Sequence, residues 1–357
     1  MEAVTLNTKA IRDAFTLASV CTSKRSNKPA LTGVLANTQD GLLKLSSTDG
    51  ESTLDVVIPC DGHLRALLPT QKVQGILAGV TDETVTIQQT EGGVRIKSKR
   101  SKFEVGTSNP DEFPVLLDSE LSSGLQVDSA AFKLAIDRTA YALVEADKNY
   151  NLNGVYLDYL DGKLSVVGTD GNRMSIDVLE GEGEFKEPVL IPATGLRQLM
   201  RVLAGIEGKC VIANQGNSLS VSGGNVVFST LLSAGNFPKW RKVPTEASDL
   251  LSLPCATLRT ALDQITLIQG EEAHGTRMEI TEGNLRFVYA QQDGSAEIDI
   301  PVDTKRTETL RLRHWYLHDF VKHHPKESVV TLRYDGGPLM FECGSNRGFL
   351  SPLGATE

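Results

Sequence analysis

Leu152-Asn153-Gly154-Val155-Tyr156-Leu157 repeats Leu31-Thr32-Gly33-Val34-Leu35-Ala36 at an interval of 121 residues, and Gly275-Thr276-Arg277-Met278-Glu279-Ile280 repeats the glycine-led strand after another 121. A polar turn follows each copy: Thr48-Asp49-Gly50, Thr169-Asp170-Gly171 and Gln292-Asp293-Gly294. A third marker, Leu68-Pro69, returns as Ile191-Pro192, with Leu312-Arg313 at the third place without the proline. Phe113-Pro114 and Phe237-Pro238 close the first two copies. Solenoid units run to about 20–50 residues, so a period this long means similar domains in series. The boundaries fall at 1–121, 122–247 and 248–357.

The order of elements is shared between copies. A helix is expected first, over 8–20, 129–142 and 257–268. In the second copy Phe132, Ile136, Thr139 and Leu143 share one helical face. Short strands with Asp-Gly turns follow, then a second helix over 70–78, 195–204 and 314–323, then more strands. Each domain is therefore α+β, with two helices and antiparallel sheets.

Bulk properties narrow the class. The chain has 357 residues, 40% of them hydrophobic, which is enough for several cores without a disulfide or metal. Cys21, Cys60, Cys210, Cys255 and Cys343 are scattered, odd in number and form no CxxC pair, as expected in a reducing cytoplasm. No basic segment followed by an apolar run opens the chain, and no stretch approaches about 18 apolar residues. We therefore expect no signal peptide and no membrane span. The net charge of −9 argues against a protein that simply coats nucleic acid. The charge is unevenly placed, however. The expected helices carry Lys9, Arg12, Lys72, Lys133, Arg138, Arg197, Arg201, Arg259 and Lys322 against Asp13, Asp137, Asp263 and Asp319. A basic lining within an acidic body would attract phosphates without reading bases. Solvated helix faces would give the same count.

Catalytic patterns are weak. Asp49, Asp170 and Asp293 occupy equivalent positions in three repeats, so they cannot converge on one metal, and Asp-Gly is a preferred turn pair. His314 and His318 share a helical face near Asp319, His323 and His324, but no HExxH accompanies them. A solvated helix, or one facing the basic lining, is expected there, and its attraction for phosphates would rise below about pH 6.5. No phosphate-cradling GxxxxGK[ST] and no GxSxG is present. We expect no enzyme, no cofactor and no metal. An interdomain hydrolase or transferase would instead gather polar residues unique to one repeat, and here the notable residues are shared between repeats.

Tyr150-Asn151-Leu152-Asn153-Gly154, Val167-Gly168-Thr169-Asp170-Gly171-Asn172-Arg173-Met174 and Gly235-Asn236-Phe237-Pro238-Lys239-Trp240-Arg241-Lys242-Val243 resemble the YLNG, TDGHRL and FPDYRRV signatures of the β-clamp family, the beta subunit of bacterial DNA polymerase III. Ser98-Lys99-Arg100-Ser101-Lys102-Phe103 fits as well, and the resemblance covers the whole chain. It implies helices on an inner wall and sheets on an outer one, each chain forming half of a ring. Two chains would join head to tail as a homodimer around double-stranded DNA, held without sequence preference. A clamp loader ATPase would open the ring. Replicative and repair DNA polymerases would dock by short clamp-binding peptides. A divergent homologue serving as a scaffold outside bulk replication is the alternative.

The resemblance also assigns residues. Arg25 and Tyr150 match family residues on the DNA path; with the basic helices and the loop 23–28 they give a DNA-binding set of Lys24, Arg25, Lys72, Arg138, Tyr150, Arg197 and Arg201. The peptide pocket would be walled by Leu152, Thr169, Gly171, Asn172, Arg173, Met174, Pro238, Lys242 and Val243. The C-terminal strand would add Phe349, Leu350, Pro352 and Leu353. These residues would equally serve as ordinary core and hairpin positions. Asn172, Met174 and Lys242 stand where the family has His, Leu and Arg, and Ser351 replaces a Met of the family tail, so a pocket of altered depth is expected. The ring interface would pair Phe103 and Val105 with Leu267 and Ile268, with Arg100 and Lys102 facing Glu271 and Glu272.

Overall fold

The computed structural model describes residues 3–114, 123–143, 152–268, 275–291 and 294–354. The α-helices among them are α1 (Thr8–Ala18), α2 (Thr70–Gly79), α3 (Ser129–Ala140), α4 (Ala193–Leu203), α5 (Cys255–Ile268) and α6 (His314–Lys322). The expected helices are all found, two per repeat. Asn7 starts α1 by accepting the Ala10 N–H at 3.0 Å, a side-chain N-cap. The helix stops two residues short of the expected end. Ser19 Oγ donates to the Phe15 carbonyl and the chain tightens into a 3₁₀ turn over Ser19–Cys21. Phe132, Ile136 and Thr139 are buried, as the α3 periodicity requires.

Strands pair antiparallel throughout, which makes the fold α+β. Two compact units form, Met1–Lys133 with Gly181–Ser233 and Leu134–Glu180 with Ala234–Glu357. The first holds a nine-stranded sheet in which Val226–Leu231 pairs with Ser52–Pro59, placing Phe228 opposite Leu54. A five-stranded sheet in the same unit ends on Lys102–Gly106. In the second unit Arg173–Glu180 pairs with Asn346–Leu350, placing Met174 opposite Phe349. A four-stranded sheet there has Gly294–Pro301 at one edge and Glu308–Leu312 at the other. The same joint is thus made twice, at equivalent repeat positions. Because these ladders cross the repeat boundaries, the compact units and the sequence repeats do not coincide.

The Asp-Gly turns are structural, as the repeat argument requires. Asp49 Oδ1 accepts the N–H groups of Glu51 and Ser52 at 2.9 and 2.8 Å, and Asp170 Oδ1 accepts those of Asn172 and Arg173 at 2.9 and 3.0 Å. Gly50 and Gly171 sit at φ 100° and 87°, where a side chain would be strained. Asp293 lies outside the described residues.

The histidine-rich helix departs from expectation. His314 and His324 are buried rather than solvated. His318 Nε2 lies 2.7 Å from Asp263 Oδ1, and His323 Nδ1 lies 3.0 Å from Asp137 Oδ2. His314 packs between two hydroxyls, Thr266 Oγ1 at 3.1 Å and Thr276 Oγ1 at 3.0 Å. Burial, with a smaller contribution from His318, pushes the His314 pKa from 6.5 down to about 4. It therefore stays neutral where an attraction for phosphates was expected of it. Between these values the unfolded chain binds a proton that the folded chain refuses, so the stability present above pH 6.5 is lost as pH falls toward 4. Urea unfolding at pH 7.5 and pH 4.5 should show His314→Gln losing about 2–3 kcal/mol less than the unsubstituted protein across that interval.

Candidate functional site

A hollow of about 410 Å³ opens in the second unit beside the joint of Arg173–Glu180 with Asn346–Leu350. Three segments build it. The Thr169–Arg173 turn is closed by Thr169 Oγ1, which donates to the Arg173 carbonyl and accepts the Gly171 N–H. The strand end adds Phe349, Leu350 and Ser351. The third segment is a 3₁₀ turn, Trp240–Lys242. Its indole N–H donates to Asp158 Oδ2 at 3.1 Å, and Arg241 Nε donates to the same oxygen at 2.9 Å while stacking over the indole. Tyr156 and Phe237 stack beside it with centroids 4.4 Å apart.

Of the residues assigned to this site, Thr169, Gly171, Asn172, Arg173, Met174, Pro238, Lys242, Val243, Phe349 and Leu350 do line one hollow. Leu152 lies behind the wall, buried, its Cδ1 3.9 Å from where a Cβ on Gly171 would stand. Pro352 and Leu353 are elsewhere. They line a separate hollow of about 490 Å³ with Arg277, Val288, Arg311 and Tyr334. The reason is a backbone bond: Leu353 N–H donates to the Arg311 carbonyl at 2.7 Å and turns the tail onto the edge strand Glu308–Leu312. The sequence reading missed Lys239, Trp240, Pro244 and Pro338. Trp240 had a signal, being a large aromatic inside a quoted signature; Pro338 had none.

Arg173 lines the hollow, where an arginine could fix polar atoms of a ligand. Its guanidinium is already committed. Nε donates to Asp170 Oδ2 at 3.0 Å, Nη1 to Asp319 Oδ2, and Nη2 to the Tyr141 carbonyl at 2.8 Å. Tyr316 lies under its face at 4.3 Å, and only 12% of the side chain is exposed. Burial works to raise the Asp319 pKa, but hydrogen bonds from Lys322 and Arg173 outweigh it and hold the carboxyl below the usual range. Arg173 therefore ties the turn, α6 and the end of α3 together.

In the first unit a cleft of about 980 Å³ gathers Lys24, Arg25, Lys72 and Arg201 with Ser23, Ser26, Asn27, Gln71 and Gln74. These cations are exposed, and Arg197 is exposed one turn before Arg201 on α4 without lining the cleft. Arg138 is not part of this set. Only 15% of its side chain is exposed, and it lies 3.5 Å from Asp177 Oδ2. A cation so placed is neutralised within its own unit. Tyr150 lies outside the described residues.

Residues 3–117 match the family profile described as DNA polymerase III beta subunit, N-terminal domain, and residues 126–239 match its central domain. The chain belongs to the DNA polymerase III beta subunit family, the bacterial sliding clamps. It is similar to the beta sliding clamp of Vibrio cholerae, 26% identical over 293 residues and 80% of each chain. The beta sliding clamp of Escherichia coli K12 is 27% identical over 283 residues, 77% of each. Among solved structures, the beta subunit of Thermotoga maritima superposes with a TM-score of 0.89 at 22% identity over the whole of both chains. The Pseudomonas aeruginosa sliding clamp bound to griselimycin gives 0.91 at 22% identity over 99% of each.

The residues assigned to ring closure are only partly available for it. Phe103 is 37% exposed on the outer strand Lys102–Gly106. Val105 faces inward opposite Val94 and is buried, so it is not free for an intermolecular contact. Arg100 is exposed, and Lys102 lies 3.6 Å from Glu104 on its own strand. At the end of α5, Leu267 is 83% and Ile268 41% exposed, with Ile268 over Gly294 at the start of an outer strand. Glu271 and Glu272 lie outside the described residues. Among the described residues no acidic, histidine or cysteine cluster could hold a metal, and no helix is long and apolar enough to cross a membrane.

Because Arg173 is structural, Arg173→Lys should destabilise the protein by about 2–4 kcal/mol: an ammonium cannot span three acceptors and leaves Asp319 poorly matched. Urea unfolding checks this. Unchanged stability would return Arg173 to a ligand-binding role.

Proposed function

We propose that the chain serves as a sliding clamp: two copies close head to tail around double-stranded DNA and hold DNA polymerase III and repair polymerases to the template. Family membership over 3–117 and 126–239 carries this reading. The ring supplies processivity by topology and needs no catalysis and no cofactor. A separate clamp loader ATPase opens it, since the sequence has no nucleotide-cradling loop. The working compartment is the cytoplasm.

DNA lies against Lys24, Arg25, Lys72, Arg197 and Arg201. Such cations contact phosphates without reading bases, which leaves the ring free to slide. Closure joins the outer strand Lys102–Gly106 of one copy to the outer strand Gly294–Pro301 of the other. Phe103 meets Leu267 and Ile268 there, with Arg100 and Lys102 toward Glu297. Two open strand edges and exposed apolar side chains support this, because such edges are normally covered. Exposed ion pairs contribute only about 0–1 kcal/mol each, so the apolar contact dominates. Polymerases dock short peptides in the 410 Å³ hollow.

Retention on nicked circular plasmid after loading, with release on linearisation, tests the topology. The protein is expected to stay on circles and run off ends; Leu267→Ala with Ile268→Ala should sediment as monomer and fail to stay. Binding to linear and circular DNA alike would refute a clamp. Separately, Arg25→Ala and Arg201→Ala should each lower the slope of log affinity against log salt by roughly 0.9 for every phosphate the side chain neutralises, equally on all sequences. Titrations on two unrelated duplexes check this.

A further inference from the structure

The hollow in the second unit has an unbalanced rim. No aspartate or glutamate lines it among the described residues. The acids behind its wall are already matched: Asp158 by Trp240 and Arg241, Asp170 by Arg173, and Asp319 by Arg173 and Lys322. Arg173, though it lines the hollow, is committed to Asp170, Asp319 and the Tyr141 carbonyl. Two lining cations are left over, Lys239 and Lys242. Both are exposed, flank Trp240 on one 3₁₀ turn, and have no carboxylate within ion-pair distance among the described residues.

We infer that this hollow selects an acidic peptide segment of a partner protein. An apolar side chain would sit among Met174, Trp240 and Phe349, with Asp or Glu beside it facing Lys239 and Lys242. The inference rests on reading the hollow as the peptide-docking site. The apolar floor supplies affinity, since buried anchors dominate such contacts. The lysines act at a wet rim, where charge pairs add little affinity but discriminate between partners. A basic segment is repelled by two unmatched cations, and a neutral one leaves them as they were. Charge complementarity to Lys239 and Lys242 therefore calls for a negative peptide flank.

The protein has two tryptophans, Trp240 in the hollow and Trp315 in α6, so Trp315→Phe makes Trp240 emission the report of occupancy. The full chain carrying that change is titrated with three synthetic peptides sharing a Leu/Phe core. Their flanks are Asp/Glu, Asn/Gln or Lys, and calorimetry serves as the second readout. At low ionic strength the acidic peptide should bind roughly five- to tenfold more tightly than its amide counterpart, with the lysine peptide weakest. The gap should close at about 1 M salt, where the screening length is about 3 Å. Lys239→Glu with Lys242→Glu should invert the order, with thermal unfolding unchanged as the folding control. Equal binding of acidic and amide peptides, or an order that survives the double substitution, overturns the charge inference and leaves the docking site standing. If none of the three peptides binds the folded protein, the docking reading falls and the inference with it.

Discussion

Arg173, Met174, Ser175 and Ile176 pair antiparallel with Leu350, Phe349, Gly348 and Arg347, and the second unit is organised around that ladder. It brings one wall of the hollow from the middle of the sequence and another from its end. Its geometry leaves little freedom. A Cβ on Gly348 would stand 1.8 Å from Phe341 Cε2, so only glycine lets the aromatic ring pack across the strand. Buried Asn346 closes the end of the ladder: its Nδ2 donates to the Ile176 carbonyl at 2.9 Å and to Ser175 Oγ at 3.1 Å, and its Oδ1 faces His324 Nε2 at 2.9 Å. A buried amide with these partners fixes register, because a slip would leave several polar groups without bonds. The first unit has the equivalent ladder, Val226–Leu231 on Ser52–Pro59, where Phe228 faces Leu54.

Electrostatics is then a question of which charges the fold leaves unmatched. The chain as a whole is acidic, at −9. Arg138 and Arg173 are held against Asp177, Asp170 and Asp319 and contribute structure. Lys24, Arg25, Lys72 and Arg201 converge on one cleft instead, where no carboxylate lines the wall among the described residues. A phosphate responds to this local field, since the distant acids are screened over about 10 Å at 0.1 M salt. The contrast between Arg138 and Arg201, both basic residues toward the ends of helices, comes from what packs opposite them.

The hollow and the cleft differ in the same physical terms. The cleft is polar, built from a loop and two helices, and suited to a charged backbone whose bases go unread. The hollow is mostly apolar, floored by Met174 and Phe349 and flanked by Pro238, Trp240 and Pro244, so it suits side chains that leave water. Trp240 connects the two requirements within the hollow. Its ring offers apolar surface, and its N–H is anchored to Asp158, so the wall is rigid before anything binds.

Much of this was readable in the sequence because it depends on local chemistry. The recurrence of glycine-led strands and Asp-Gly turns at spacings of 121 to 123 residues set the repeats, and the α3 periodicity at Phe132, Ile136 and Thr139 set a buried face. Signature residues from Thr169 to Met174 and from Pro238 to Val243 named most of the hollow, since turn geometry and strand alternation are properties of short segments. Tertiary structure decided what depends on partners distant in sequence. It buried His314 between Thr266 and Thr276, turned Val105 inward while leaving Phe103 out, and drew Leu353 onto Arg311 and away from the hollow. It also set Asp319 against Arg173 and left Lys239 and Lys242 without an acid. Sequence specifies which groups carry charge or apolar surface; only packing fixes their neighbours, and the neighbours determine whether a charge is neutralised or free to bind.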